Sequence, residues 1–239
     1  MNQTADRFLD LYREMESEIR DRYFQDGDNG HEGVLSRALR EVPDIQHFRD
    51  ELNTCREVRN YLSHNRKIGG EYAVFPSPQL IEILESTLQA IKNPPTVMQI
   101  AVGRDQMLQA KFSDRALWLL RQMHRRGFSH VPVMREGRLA GVFSESSVAA
   151  YLCETQCGQL DDTAQIRDFA DYIGFARHTN ETFAFVSAQT SLPTVEEIYR
   201  RAFARHKRLS LIFITEHGQQ DERLIGLITP YDVLAHEDD

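Results

Sequence analysis

Three polar residues at the end of one predicted helix have side chains suited to proton transfer and to phosphate binding. Arg59, Asn60 and His64 occur together in the stretch RNYLSH. A guanidinium stays charged and presents a planar fork of donors to phosphate oxygens, whereas an imidazole titrates near neutral pH and serves as a general acid or base. Asn60 precedes His64 by four residues on the same helical face, where its amide could orient the imidazole.

The helix that carries these residues has a buried face, and Arg59 falls on it. Apolar residues recur in steps of three and four along the segment: Ile45, Phe48, Leu52, Cys55 and Leu62. The same rhythm continued past Cys55 reaches Arg59, and a buried guanidinium must be paired, solvated or used. On an unbroken helix Arg59 and His64 point roughly 140° apart. They converge only if the helix loosens near Leu62 or if they come from different subunits.

A structural interpretation of the same residues stays open. Arg59 could anchor the helices through a buried ion pair with Glu14 or Glu18 of the first helix, and His64 could be a surface residue before a loop. Under this interpretation, loss of Arg59 would leave a buried carboxylate without its partner and would destabilise the protein.

A second set of candidate residues ends a predicted strand in the stretch GLITPYDV. Gly226 would let a ligand approach the backbone, and the Thr229 hydroxyl and the Asp232 carboxylate can both form hydrogen bonds with one. The alternative is again structural. Threonine is a common helix N-cap, proline favours the first helical position, and an early aspartate favours the helix dipole.

The N-terminal part, residues 1–95, reads as a small antiparallel helical bundle. Its first helix ends near the turn residues 26–30, a short helix follows at 32–41, and the helix that contains Arg59 is the third. The fourth begins at Ser77-Pro78, an N-cap followed by proline. Two prolines at 94 and 95 stop it and form a stiff linker.

The C-terminal part changes to short β-rich runs and contains an internal repeat. Four such runs pair as two predicted hairpins: 129–134 with 138–144, and 209–215 with 223–229. A helix is predicted before and after each hairpin. GVFSESSV at 141–148 aligns with GLITPYDV at 226–233, which indicates two copies of one α/β unit. Each copy has a single predicted hairpin, so the two sheets can bury their apolar faces only against each other.

The pattern of glycine, two apolar residues, threonine, two variable residues and aspartate resembles the ligand motif of CBS domains (cystathionine-β-synthase domains). HVPVM at 130–134 also resembles the first hairpin strand of that family. The resemblance covers residues 96–239 as a tandem pair, with copies near 96–155 and 180–239. Together with the bundle it predicts an α+β protein.

This resemblance implies an adenosine nucleotide (AMP, ADP or ATP) as a regulatory ligand in a cleft between the sheets. Gly226 would admit the ligand, Thr229 would contact phosphate or ribose, and Asp232 would accept hydrogen bonds from the ribose hydroxyls. In the first copy Gly141 and Ser144 match the motif, but Ser147 replaces the aspartate. The second copy is therefore the predicted site.

The bundle with its RNYLSH stretch resembles HEPN domains, whose motif is an arginine, four residues and a histidine. That resemblance implies a metal-independent ribonuclease that works as a homodimer, with Arg59 holding the phosphate, His64 moving the proton and Asn60 orienting it. The predicted function is a nucleotide-responsive effector whose CBS pair regulates RNA cleavage. The competing hypothesis is a non-enzymatic sensor or adaptor whose bundle serves dimerisation or partner binding.

Composition limits the classes of partner. The net charge of the 239 residues is −8, which argues against a broad electrostatic grip on nucleic acid, although a local basic patch near Arg59 is possible. The apolar runs are too short to span a bilayer, and the polar start MNQTADRF is no signal peptide. Three cysteines, two of them Cys153 and Cys157, are expected to be reduced thiols. These features predict a cytoplasmic protein without a membrane partner.

Overall fold

The computed structural model describes residues 2–24, 33–155 and 159–237. The turn predicted at 26–30 and Cys157 lie outside these residues. The chain divides into two compact units: residues 1–95 with 191–194, and residues 96–190 with 195–239. Both β-sheets belong to the second unit.

The first unit is helical, as the apolar periodicity predicts. Its helices are α1 (Asn2–Tyr23), α2 (Val34–Glu41), α3 (Pro43–Gln46), α4 (Arg49–His64) and α5 (Pro78–Lys92). The long helix α1 packs against α2, α4 and α5. Its buried face is the predicted one, formed by Phe8, Tyr12, Met15 and Ile19. The bundle is therefore organised around α1, and α4 presents one face to that core.

The predicted third helix is interrupted. The chain forms α3, passes through His47 and Phe48, and resumes as α4, with the Leu52 amide donating to the Phe48 carbonyl at 2.9 Å. From there α4 is continuous to His64. The predicted start of α5 is confirmed, because the Ser77 hydroxyl accepts a hydrogen bond from the Leu80 amide at 3.2 Å.

Between α4 and α5 the chain makes a tight turn. Ile68 and Glu71 pair with each other, and the two glycines between them have the positive φ angles of 62° and 87° that favour glycine. Tyr72 and Phe75 pack against the bundle core, while Ile68 is exposed. The apolar residues of this loop thus partly complete the bundle itself.

The second unit contains both sheets and, among its described residues, four α-helices, one of which begins within residues 191–194 of the first unit. The strands are β1 (Val102–Gly103), β2 (Ala110–Lys111), β3 (His130–Arg135), β4 (Arg138–Ser144), β5 (Thr182–Ser187), β6 (Leu209–Thr215) and β7 (Gly226–Ile228). The helices are α6 (Ala116–Arg126), α7 (Glu145–Thr155), α8 (Leu192–Ala204) and α9 (Pro230–Glu237). One sheet has the order β2-β3-β4, and the other has the order β1-β7-β6-β5.

Both predicted hairpins are confirmed as antiparallel pairs, β3 with β4 and β6 with β7. The first turns at Glu136 and Gly137, whose φ angles are 51° and 81°, as a two-residue hairpin requires. The single-hairpin description of each copy was incomplete. Parallel strand β2 extends the first sheet, and β1 and β5 extend the second.

The two sheets share an apolar layer, which confirms that they bury their faces against each other. The layer contains residues of both copies: Met134, Leu139, Val142, Leu211, Phe213, Leu224 and Leu227. In each copy, another segment of the chain also pairs with the motif strand, and it does so at equivalent residues of the repeat. Val102 of β1 pairs with Leu227, and the Ile173 carbonyl accepts a hydrogen bond from the Val142 amide at 2.8 Å. Val142 and Leu227 are equivalent in the repeat.

Candidate functional site

The second-copy motif is built where β7 passes into α9. Gly226 pairs with Gly103 of β1, and a Cβ at position 226 would lie 3.1 Å from the Val102 carbonyl oxygen. The Thr229 amide and hydroxyl both donate to Asp232 Oδ2, at 2.7 and 2.8 Å, and the Asp232 amide donates to the Thr229 hydroxyl at 3.3 Å. This reciprocal pattern caps the start of α9.

A cavity of about 370 Å³ adjoins this motif. Its size lies in the range of small-molecule sites, about 300–1,000 Å³. Thr229 contributes to the cavity lining. Gly226, in β7, and Asp232, in the first turn of α9, do not line the cavity. Much of the wall is apolar: Val102, Met107, Leu108, Pro132, Leu209, Leu211 and Leu227.

A few polar and aromatic groups converge on the same cavity. Arg208 supplies a cation, and Phe128 and Tyr231 supply exposed aromatic rings. His130 also belongs to the lining, but its Nε2 lies 2.6 Å from Glu181 and its Nδ1 lies 2.7 Å from the Ser129 hydroxyl. None of His130, Arg208 and Tyr231 was predicted from the sequence as a ligand-site residue. The repeat could have pointed to Arg208, because it precedes the first strand of the second hairpin as the segment containing Phe128 precedes that of the first.

The first-copy motif is closed by a residue from a distant part of the chain. Ser144 and Ser147 cap α7, with the Ser144 amide donating to the Ser147 hydroxyl at 2.8 Å. The Ser144 hydroxyl donates to Glu181 Oε1 at 2.6 Å, across 37 residues of sequence. Both serines and Glu181 are buried.

Two histidines complete this network around Glu181. His130 Nε2 lies 2.6 Å from Oε2, and His178 Nδ1 lies 2.7 Å from Oε1. The side chains of His178 and Glu181 are only 1% and 2% exposed. Burial alone would raise the pKa of Glu181, but the hydrogen bonds from His130, His178 and Ser144 outweigh it and hold that pKa well below the usual range of a glutamate. Sequence reasoning missed His178 and Glu181.

In the bundle, Arg59 is half-buried, with 33% of its side chain exposed. Its Nη2 lies 3.6 Å from Glu16 Oε2, its guanidinium lies 5.4 Å from the ring centre of Tyr12, and its Nη1 donates to Asn60 Oδ1 at 3.0 Å. The predicted pairing with Glu14 or Glu18 is therefore wrong. Those two carboxylates pair with Lys92 and Arg22, and Glu16 is the one that faces α4.

One chain does not bring Arg59 and His64 together. The helix α4 is unbroken from Arg49 to His64, so the loosening near Leu62 that would align the two side chains does not occur. His64 is exposed in the last turn, and Asn60 contacts Arg59. A catalytic site that uses both residues would need a second chain.

Comparison with known proteins identifies one element of the chain. The CBS domain family model matches residues 110–154, so the chain contains a CBS domain, and the match covers the first copy. No curated protein matches the chain. The resemblance of the bundle to HEPN domains stays a prediction.

Several crystal structures resemble part of the chain. One is CBSX2 in complex with AMP, which is 18% identical, covers 60% of this chain and 96% of its own, and has a TM-score of 0.42. Another is a hemolysin-like protein containing a CBS domain from Oenococcus oeni PSU, which is 16% identical, covers 60% of this chain and 90% of its own, and has a TM-score of 0.40. A third is CbpB in complex with c-di-AMP, which is 17% identical, covers 60% of this chain and 84% of its own, and has a TM-score of 0.42.

Among the described residues, no helix is both long enough and apolar enough to cross a membrane. Among the same residues, no three histidine, cysteine or carboxylate side chains are grouped as a metal ion would require.

Proposed function

We propose that the protein is a nucleotide-responsive regulator whose CBS pair binds an adenosine nucleotide, AMP, ADP or ATP, in the second-copy cavity. The observation that carries this proposal is the cavity itself. It combines apolar walls for a base, the Arg208 guanidinium for phosphate and the hydroxyl of Thr229 beside a helix start. Asp232 lies directly behind Thr229, where its carboxylate would accept hydrogen bonds from ribose hydroxyls once the ligand draws it from its capping position.

Ligand binding should raise the melting temperature of the protein. A nucleotide that binds only the folded chain stabilises it by about 2.7 kcal/mol at a hundredfold excess over the dissociation constant. We expect Asp232→Ala to lose most of this shift and Ser147→Ala to keep it. Each shift is measured by differential scanning fluorimetry against the unliganded variant, because both substitutions also remove a helix cap. Equal losses in the two variants would contradict the choice of the second copy.

A matched pair of cation variants tests the same cavity from its other side. Arg208→Ala removes the cation that lines the cavity, whereas Arg205→Ala removes an exposed cation that does not line it. The nucleotide shift should shrink only in Arg208→Ala, and more for ATP than for AMP, because added phosphates give the guanidinium more charge to bind.

The element regulated by the nucleotide is, in our proposal, the helical bundle, and its activity is RNA cleavage without a metal. Arg59, Asn60 and His64 supply the residue types, and the carboxylate nearest to Arg59, that of Glu16, lies 3.6 Å away, beyond hydrogen-bond distance. Because α4 is unbroken, cleavage would need Arg59 of one chain and His64 of another. The alternative is a non-enzymatic sensor or adaptor in which the bundle serves dimerisation or partner binding, and it is favoured by the divergence of the two side chains within one chain.

The two-chain ribonuclease site requires a homodimer. Exposed apolar side chains lie near the end of α4 and in the following turn, namely Tyr61, Ile68 and Val74. We expect light scattering at micromolar concentration to give twice the 27.7 kDa mass of one chain. A sharp monomer mass would exclude the two-chain ribonuclease site.

A further inference from the structure

The two copies of the repeat place equivalent residues in different surroundings. Ser144 and Thr229 are equivalent, as are Ser147 and Asp232. Thr229 lines an open cavity, and its hydroxyl donates to Asp232 within its own motif. Ser144 is buried, and its hydroxyl donates instead to Glu181. The serine at 147 makes this possible, because it caps α7 with a hydroxyl and puts no carboxylate at the position that Asp232 occupies in the second copy.

In each copy a neighbouring segment of the chain runs beside the motif strand. The residues that follow this segment explain why the surroundings of Ser144 and Thr229 differ. In the second copy, β1 runs beside β7 and leads on to Met107 and Leu108, which form apolar walls of the cavity. In the first copy, the chain passes Ile173 beside β4 and leads on to His178 and Glu181. Equivalent segments therefore contribute apolar side chains to the second-copy site and a hydrogen-bonded carboxylate to the first-copy site.

We infer that Glu181 is a built-in occupant of the first-copy ligand position, so that one chain binds one nucleotide. This inference rests on the proposed function for its ligand. The carboxylate accepts hydrogen bonds from Ser144, His130 and His178, which are the donors that the oxygens of a bound ligand would otherwise use. Its negative charge also repels phosphate, and its side chain fills the space.

His130 belongs both to the hydrogen-bond network of Glu181 and to the second-copy cavity. Its ring belongs to the lining of the second-copy cavity, and its Nε2 is bound to Glu181. Glu181 thus orients one wall residue of the cavity that accepts the nucleotide while closing the position that does not.

Isothermal titration with AMP, ADP and ATP tests the stoichiometry. We expect one molecule bound per chain, loss of that binding in Asp232→Ala, and its retention in Ser147→Ala. Two molecules per chain would overturn the inference, as would a single molecule that Ser147→Ala loses and Asp232→Ala keeps.

A nucleotide-independent measurement separates this inference from the proposed function. Glu181→Ala leaves three donors around an empty carboxylate position, so sodium acetate should raise the melting temperature of this variant above its value in sodium chloride of equal ionic strength. The wild type should show no such difference. If no nucleotide binds, the proposed function fails, and the acetate result decides whether Glu181 occupies an anion position. Absence of the acetate effect in a folded variant overturns it. If Glu181→Ala does not fold, the wild-type stoichiometry decides.

Discussion

Glu181→Gln should lower the free energy of unfolding at pH 7 by about 1.5–3 kcal/mol, the usual contribution of a hydrogen bond to a charged group. The carboxylate accepts hydrogen bonds from the buried Ser144 hydroxyl and from two imidazoles whose side chains are 9% and 1% exposed. A glutamine places an NH2 donor among these donors and removes the charge that they stabilise. Urea denaturation followed by circular dichroism measures the change.

A matched control is Glu222→Gln. Glu222 also accepts a hydrogen bond from a histidine, with His217 Nδ1 at 2.7 Å, but the side chains of this pair are 71% and 22% exposed, far more than those of the Glu181 network. We expect a much smaller loss there, because solvent screens exposed pairs. Equal losses in the two variants would show that burial of the Glu181 network adds nothing.

The pH dependence of the same variant has a definite sign. The pKa of Glu181 is lowered in the folded protein, so its stabilisation is fully present above the unfolded value of about 4.3 and is lost as the pH falls below it. Glutamine does not titrate. The difference in free energy of unfolding between wild type and Glu181→Gln should therefore become smaller below about pH 4. A gap that stays constant from pH 7 to pH 3 would contradict a charged Glu181.

Much of the fold follows from local patterns in the sequence. The buried face of α1, the N-cap at Ser77 and the hairpin turn at Glu136 each depend on residues a few positions apart, and all three are present. Two of the three missed strands, β1 and β2, have two residues each, which is too short for an alternating pattern to be visible. The third, β5, has six residues and was also missed.

The sites were harder to predict because they depend on contacts between distant segments. Glu181 meets Ser144 across 37 residues, and neither its spacing nor its type marks it in the sequence. The internal repeat located the second-copy motif, but it gave no sign that a carboxylate closes the first copy. Arg59 was placed on the apolar face of its helix, yet only the structure identifies Glu16 as the carboxylate beside it.

In the proposed ribonuclease, Arg59→Ala should lower the rate of RNA cleavage about 10²–10³-fold while changing stability little. The guanidinium is half-exposed and lies 3.6 Å from Glu16, so the pair contributes about 0–1 kcal/mol, and its position over Tyr12 adds about 0.5–1 kcal/mol. Loss of a group that stabilises transition-state charge costs about 10²–10³ in rate. Both are measured on one preparation, with melting temperature and cleavage of labelled RNA in EDTA. Arg56→Ala is the control, since Arg56 is a half-buried arginine of the same helix bonded to Ser36.

Mixing two inactive variants tests the two-chain site directly. If Arg59 of one chain acts with His64 of its partner, a mixed dimer of Arg59→Ala and His64→Ala contains one intact site and one that lacks both groups. After unfolding and refolding at equal amounts, half of the dimers are mixed, and about a quarter of the wild-type rate should return in a two-fold symmetric assembly. If the wild type is active and the mixed dimers recover no cleavage activity, the site lies within one chain. The active form would then differ from the structure, in which α4 is unbroken. A wild type that cleaves no RNA in EDTA would remove the ribonuclease hypothesis and leave the bundle as a dimerisation or partner-binding element.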